Sequence, residues 1–309
     1  MRKHKAVRSH MKHRFLGVIF LFLIMTVMAT PGPAGESLSH GQIDWLNGTI
    51  KATGVAHPQS KDSDISVDSQ KMLSVAKVSA QQNLLGMIKQ LLVSSTDRVD
   101  SLVGSDQLLM AKIQELIKNA RVIKQAYLSD GTLLITIEFR LWGAFTQLML
   151  PTEVKQIETI TPIEPSVEEE KIKIDESRWT GLIVDARGVT LKPTLVPYIF
   201  DDLNTQVYGP EFINRDFAVQ WGMCGYTSDM KAALKNDRTG QNPLVVKAIR
   251  TTGPEQTDIV ISTADASLTW SASEHVVILR EGRVVVVVEK INKYGMRIIK
   301  KLASPRGIS

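Results

Sequence analysis

The sequence predicts an α+β fold: a small β-α-α-β-β sandwich domain, followed by a mixed α/β domain ending in a β-α-β unit. Three observations predict it. Residues 67–93 carry Leu73, Ala76, Ala80, Leu84, Ile88 and Leu91 at spacings of three and four, the stripe of an amphipathic helix. Residues 121–142 hold two β-rich runs joined by Ser129, Asp130 and Gly131, and Asp-Gly between such runs is a hairpin signal. Residues 258–291 read strand, helix, strand, and the last strand holds five consecutive valines.

The elements follow in order. Residues 43–55 (IDWLNGTIKATGV) read as one strand with a bulge at Gly48. A polar loop at 57–64 leads into the helix at 67–93, where small Ala76 and Ala80 let the helix sit close to a sheet. Ser105-Asp106 caps a shorter helix ending near Asn119. In the strand at 132–142, Leu133, Ile135, Ile137, Phe139 and Leu141 alternate with more polar neighbours, so one face is buried. This first domain spans 40–146 and places helices on one face of an antiparallel sheet.

Composition then shifts. Residues 147–178 form an acidic linker with Pro151, Pro162, Pro165 and the run Glu168, Glu169, Glu170. The second domain, 179–295, opens with the apolar strand 180–185, which ends in Ala186-Arg187-Gly188. A hairpin is expected at 198–208, a helix near 228–235 and a strand at 244–250. In the last unit Ser262 and Asp265 start a helix at 264–279. The valines at 284–288 suit a strand covered on both faces, and the β-α-β order predicts that it pairs in parallel with the strand at 258–262. A basic tail closes the chain at 296–309.

Residues 1–34 bear on location. Six Lys/Arg, three His and no acid occupy 1–14, an uncharged apolar run fills 15–29, and TPGPAGES follows. That order is a signal peptide, with a small residue at either Ala29 or Ala34 for cleavage. The apolar run is shorter than the ~20 residues of a membrane-spanning helix; retained, it would be an inner-membrane anchor. Removing the leader leaves 31 basic residues against 32 acidic, so global charge gives no reason to expect nucleic acid. The lone Cys224 excludes an internal disulfide and a Cys-rich zinc site.

Catalytic patterns are sparse. Only His40, His57 and His275 follow the leader, and no G-x-S-x-G, H-E-x-x-H or Gly-rich phosphate loop is present. The stretch WGMCGY at 221–226 surrounds Cys224, which reads as a buried packing residue. Asp185 and Arg187 share a face at a strand end, either as a polar interaction point or as an ion pair fixing a turn. Asp201 and Asp202 lie in a hairpin loop with no further metal ligands to join them. No catalytic, cofactor-binding or metal-binding residue is expected, and no cofactor. Trp45, Asp185 and Arg187 are the candidate interaction residues, Trp45 because tryptophan often dominates binding energy and its strand is expected at a sheet edge.

Trp45, Gly48 and Gly54, then the Ala-rich helix with Ala76, Ala80 and Asn83-Leu84-Leu85, then Tyr127, Asp130-Gly131 and the strand after them, resemble the LPP-twenty lipoprotein family over about residues 43–142. The N-terminal domain of the flagellar assembly protein T has a similar plan. The resemblance implies an envelope protein, often lipid-anchored and without known catalysis. This chain has no cysteine after the apolar run, so lipidation is not carried over. Residues 180–209 look like the second half of longer secreted relatives of that family. The expected function is a non-enzymatic periplasmic or surface protein that binds other envelope proteins or itself, in surface or flagellar assembly. The alternatives are an envelope hydrolase using Asp185 with a second carboxylate, and a module that docks its basic tail on anionic envelope polymer or lipid.

Overall fold

The computed structural model describes residues 41–58, 65–154, 179–271 and 273–289. The expected signal peptide, His40, most of the linker, the basic tail and the side chain of His275 lie outside them.

The first half builds one antiparallel sheet from β1 (Gly41–Asp44), β2 (Thr49–Ala56), β3 (Arg121–Tyr127) and β4 (Leu133–Arg140), in the order β1-β2-β4-β3. Helix α1 (Ile65–Lys89) packs on β2 and β4, followed by α2 (Val99–Ser105), α3 (Gln107–Lys118) and α4 (Ala144–Met149). Asp106 caps α3 as expected, its carboxylate accepting from the Leu109 amide at 2.9 Å. Alternate residues of β2 and β4 face α1: Ile50, Ala52, Leu133, Ile135 and Ile137 are buried with Ala76, Ala80, Leu84 and Ile88. Leu73 departs from the expected stripe and is 42% exposed.

The single strand expected at 43–55 is instead a hairpin. The Asp44 carboxylate accepts from the amides of Leu46 (3.1 Å) and Asn47 (3.0 Å), and Gly48 takes φ +61°. An Asx turn and a left-handed glycine reverse the chain where a bulge was expected.

The second half holds two four-stranded sheets. One is fully parallel, in the order β8 (Gly225–Thr227), β12 (Val284–Val287), β5 (Leu182–Asp185) and β9 (Leu244–Lys247). The other is mixed: β10 (Arg250–Thr252), β11 (Asp258–Ile261), β6 (Ile199–Asp201) and β7 (Gln206–Tyr208), with β11 and β6 parallel. Four helices connect them: α5 (Arg215–Trp221), α6 (Met230–Leu234), α7 (Thr263–Trp270) and α8 (Ser273–Arg280). The valines of β12 are buried throughout, as a central parallel strand requires. The expected parallel pairing of β11 with β12 does not form. The two strands join different sheets, and the helix expected between them is two helices, α7 and α8.

The main hydrophobic core runs through the described residues of both halves, which belong to one compact unit, and a smaller cluster of Ile183, Ala233, Val285 and Val287 lies apart from it. The amides of Leu195 and Val196 donate to the carbonyls of Leu92 (3.0 Å) and Val93 (2.8 Å). Arg215 donates to the carbonyls of Gln147, Pro151 and Val154. Glu255 accepts from Arg98 of the first half at 2.8 Å and from Lys192 of the second at 2.6 Å. The Trp142 ring wedges between Gly48 and Gly222, where a Cβ on Gly222 would lie 2.6 Å from it. A protease site inserted within 155–178 and cut to completion should therefore leave the two pieces co-eluting in gel filtration. Separate elution would mean that the shared core does not hold them.

Candidate functional site

The three candidate interaction residues have separate places. Trp45 occupies the turn between β1 and β2 and is only 5% exposed. Its ring meets Tyr226 of the second half edge-on, centroids 5.7 Å apart. It is an internal contact between the halves: the strand just before it, β1, does lie at the sheet edge, but the Trp45 ring packs inward against Tyr226.

Asp185 ends β5, and Arg187 folds back onto it. Arg187 Nε donates to Asp185 Oδ1 at 2.8 Å, and Nη2 to Oδ2 at 2.6 Å. These bonds hold the Asp185 carboxyl below its ordinary value against a smaller opposing effect of burial. Glu289 accepts the Gly188 amide at 3.0 Å and closes the same turn. The group is thus an ion-paired strand end in which Asp185 stays ionised. Asp201 accepts from the Thr205 amide at 2.6 Å. Asp202 accepts from the Thr263 amide at 3.0 Å and from the Thr263 hydroxyl. Both serve turn and helix-start geometry, and among the described residues no group of three or more His, Cys, Asp or Glu could hold a metal.

The stretch WGMCGY also resolves into structure. Cys224 is buried, and burial pushes its thiol up to about 12. Gly222 makes room for Trp142, and Gly225 makes room for Leu46. The Tyr208 hydroxyl donates to the Met223 carbonyl at 2.6 Å. Beside them lies Arg238, which sequence reasoning missed. It is 5% exposed and its guanidinium stands 5.3 Å from the Trp221 ring centroid. It donates to the carbonyls of Trp221, Gly222 (3.4 Å) and Gly282 (3.1 Å). A cation here satisfies the C-terminal carbonyls of α5 and complements the negative end of its dipole.

Among the described residues, one surface that stands open is β3. It forms the outer edge of the first sheet, with β4 on one side only. α1 packs on β2 and β4, while every residue of β3 except Ala126 is exposed. Val122, Ile123 and Tyr127, with Leu128 just beyond, are between 38% and 56% exposed. The register shifts between Val122 and Lys124, placing a bulge at Ile123. Arg121 is tied to Glu138 at 2.8 Å, while Lys124 is exposed. The residues of β3 carry two bases and no acid. The sequence did hold a sign of this edge. Residues 121–128 (RVIKQAYL) lack the alternation that makes β4 legible, and they place apolar side chains on both faces.

Comparison with known proteins addresses the other half of the chain. Residues 181–290 match the family model described as Treponema pallidum Tp0624, second domain. The second half is similar to that domain. The match takes in every strand from β5 to β12, and with them the Asp185–Arg187 turn and the buried Arg238. It does not reach the first sheet. No curated protein matches the chain.

Proposed function

We propose that this chain is an exported cell-envelope protein without a catalytic role, which binds another protein through the open edge of its first sheet. The observation that carries the reading is β3: an uncovered edge strand with four large exposed apolar side chains on and beside it. Such an edge offers unpaired backbone groups to an extended partner segment, and the bulge at Ile123 with the exposed Lys124 limits indiscriminate pairing along it. The charge selects the partner. Antiparallel pairing of β3 with a second copy about its middle would set Lys124 against Lys124, and like charges directly opposite are destabilising. An extended segment bearing acidic and apolar residues fits better. The resemblance of residues 43–142 to the LPP-twenty family, and the leader at 1–34, support the envelope as the place of work. No helix among the described residues is long and apolar enough to cross a membrane.

The hydrolase alternative needs a free carboxylate beside a second acid of raised pKa; Asp185 instead has both oxygens held by Arg187, and its carboxyl lies below its ordinary value. The anionic-polymer alternative rests on the tail, outside the described residues.

Two outcomes test the proposal. N-terminal sequencing of the envelope-located protein should begin near Thr30 or Gly35. A start at Met1 would make the protein membrane-anchored. The double variant Ile123→Asp/Tyr127→Ser should keep its melting temperature, because exposed substitutions change stability by only about 0.5 kcal/mol. It should nonetheless lose at least ~10-fold in partner capture from envelope extracts, since about 1.4 kcal/mol of binding corresponds to that factor. Wild-type capture by the folded variant would rule the edge out.

A further inference from the structure

A cleft of about 550 Å³ lies between the segment after α1 and the mixed sheet of the second half, within the size range of small-molecule sites. Its wall is set by strand geometry. Tyr198, just before β6, and Phe200 within it are two apart in extended chain, so both rings stand on one face while Ile199 between them points into the core. The rings stack nearly parallel, with centroids 6.0 Å apart and planes inclined by 6°.

On the neighbouring strand the Ile259 amide donates to the Tyr198 carbonyl at 2.9 Å, which brings Asp258 alongside. Asp258 is 8% exposed. Thr257 donates to its carboxylate at 3.1 Å. Burial raises its carboxyl, opposed in part by hydrogen bonds from Ser95 and Thr257. Asp97 also lines the cleft, accepting from the hydroxyls of Ser94 (2.9 Å) and Thr96 (2.7 Å). Glu153 stands at the rim. Among the described residues, the lining includes three carboxylates and no Lys, Arg or His, beside apolar Met149 and Leu102. A cavity whose described charges are all negative, lined also by aromatic and apolar side chains, repels anions and suits a cation with an apolar body.

We propose that this cleft binds an organic cation, an ammonium on an apolar stem, with the stem along the Tyr198 and Phe200 rings and the charged head toward Asp258 and Asp97.

The test uses the full chain and three probes with the same five-carbon stem: pentylamine, pentanol and pentanoate, titrated by calorimetry. Pentylamine should bind saturably, pentanol at least ~10-fold more weakly, and pentanoate not at all. Asp258→Asn should erase the preference for amine over alcohol. Because Asp258 is buried, the exposed variant Glu153→Gln and the volume-sparing Phe200→Leu provide second readings, each weakening pentylamine several-fold. N-acetyl-lysine amide separates two sources of the same chemistry. Tighter binding than pentylamine assigns the cleft to a lysine side chain of a partner, and equal or weaker binding assigns it to a free amine. Absence of saturable amine binding, equal binding of alcohol and amine, or unchanged selectivity in all three folded variants would overturn the proposal.

Discussion

Replacing Gly54 with valine is expected to destabilise the protein by at least ~3 kcal/mol, the upper end of what overpacking of a close-packed core costs. Gly54 lies in β2 on the face that carries α1. A Cβ there would overlap the carbonyl oxygen of Ala76 and the amide nitrogen of Ala80, and would lie 2.7 Å from the Ala80 Cα. These are backbone atoms, so no rotamer change can relieve the clash. The close approach has a use: Asn83 Nδ2 donates to the Thr53 carbonyl at 2.8 Å, and the Val55 amide donates to the Ser79 hydroxyl at 3.3 Å. Displacing α1 would break both. Urea denaturation of Gly54→Val measures the loss. A change below about 1 kcal/mol would mean that helix and strand are not in contact at this point.

The second large effect is at Arg238. Truncation to alanine leaves the carbonyls of Trp221, Gly222 and Gly282 without their buried donor, and each unsatisfied group costs about 1–3 kcal/mol. Relief of the guanidinium's own desolvation offsets part of this. We expect a net loss of roughly 3–5 kcal/mol, the usual range for breaking a buried charged network. Arg238→Lys should recover less than half, because a lysine head is compact and does not reproduce the planar fork that reaches several acceptors. Full rescue by lysine would show that charge alone matters at this site. Neither variant should alter binding at β3 in protein that still folds.

Local periodicity was legible and long-range pairing was not. The stripe of α1 and the alternation of β4 are set by the faces these elements bury, so they stand in the sequence. The hairpin at 129–131 was legible for a similar reason: Asp130 accepts the Thr132 amide at 2.9 Å and Gly131 takes φ +83°, chemistry local to three residues. The turn at 45–48 was misread because Trp45 and Leu46 are apolar. They are apolar because they reach across to Tyr226 and Gly225 of the second half, not because they continue a strand. Leu73 fits the helical period but lies where α1 has outrun the buried part of its stripe. The β-α-β pattern at 258–291 is equally local and does not specify which sheet each strand joins.

The site was the least legible part. Asp185 and Arg187 were recognisable as a pair from their spacing, and they form the ion-paired turn that was one of the two readings. Arg238 could not be found, since the carbonyls it serves come from two distant segments. The edge at β3 depends on where α1 ends its coverage, which no feature of residues 121–127 determines. What the sequence did offer there was the missing alternation.

The most direct test of the central claim places a photo-crosslinker on the edge strand in the exported protein. Tyr127→p-benzoylphenylalanine probes β3, and Lys51→p-benzoylphenylalanine probes the exposed face of β2 as a control. The account predicts one discrete crosslinked envelope protein from position 127, none from position 51, and disappearance of the product when Ile123→Asp is added. Equal crosslinking from both positions, a product made only of a second copy of the chain, or no product from position 127 of correctly exported protein would contradict it.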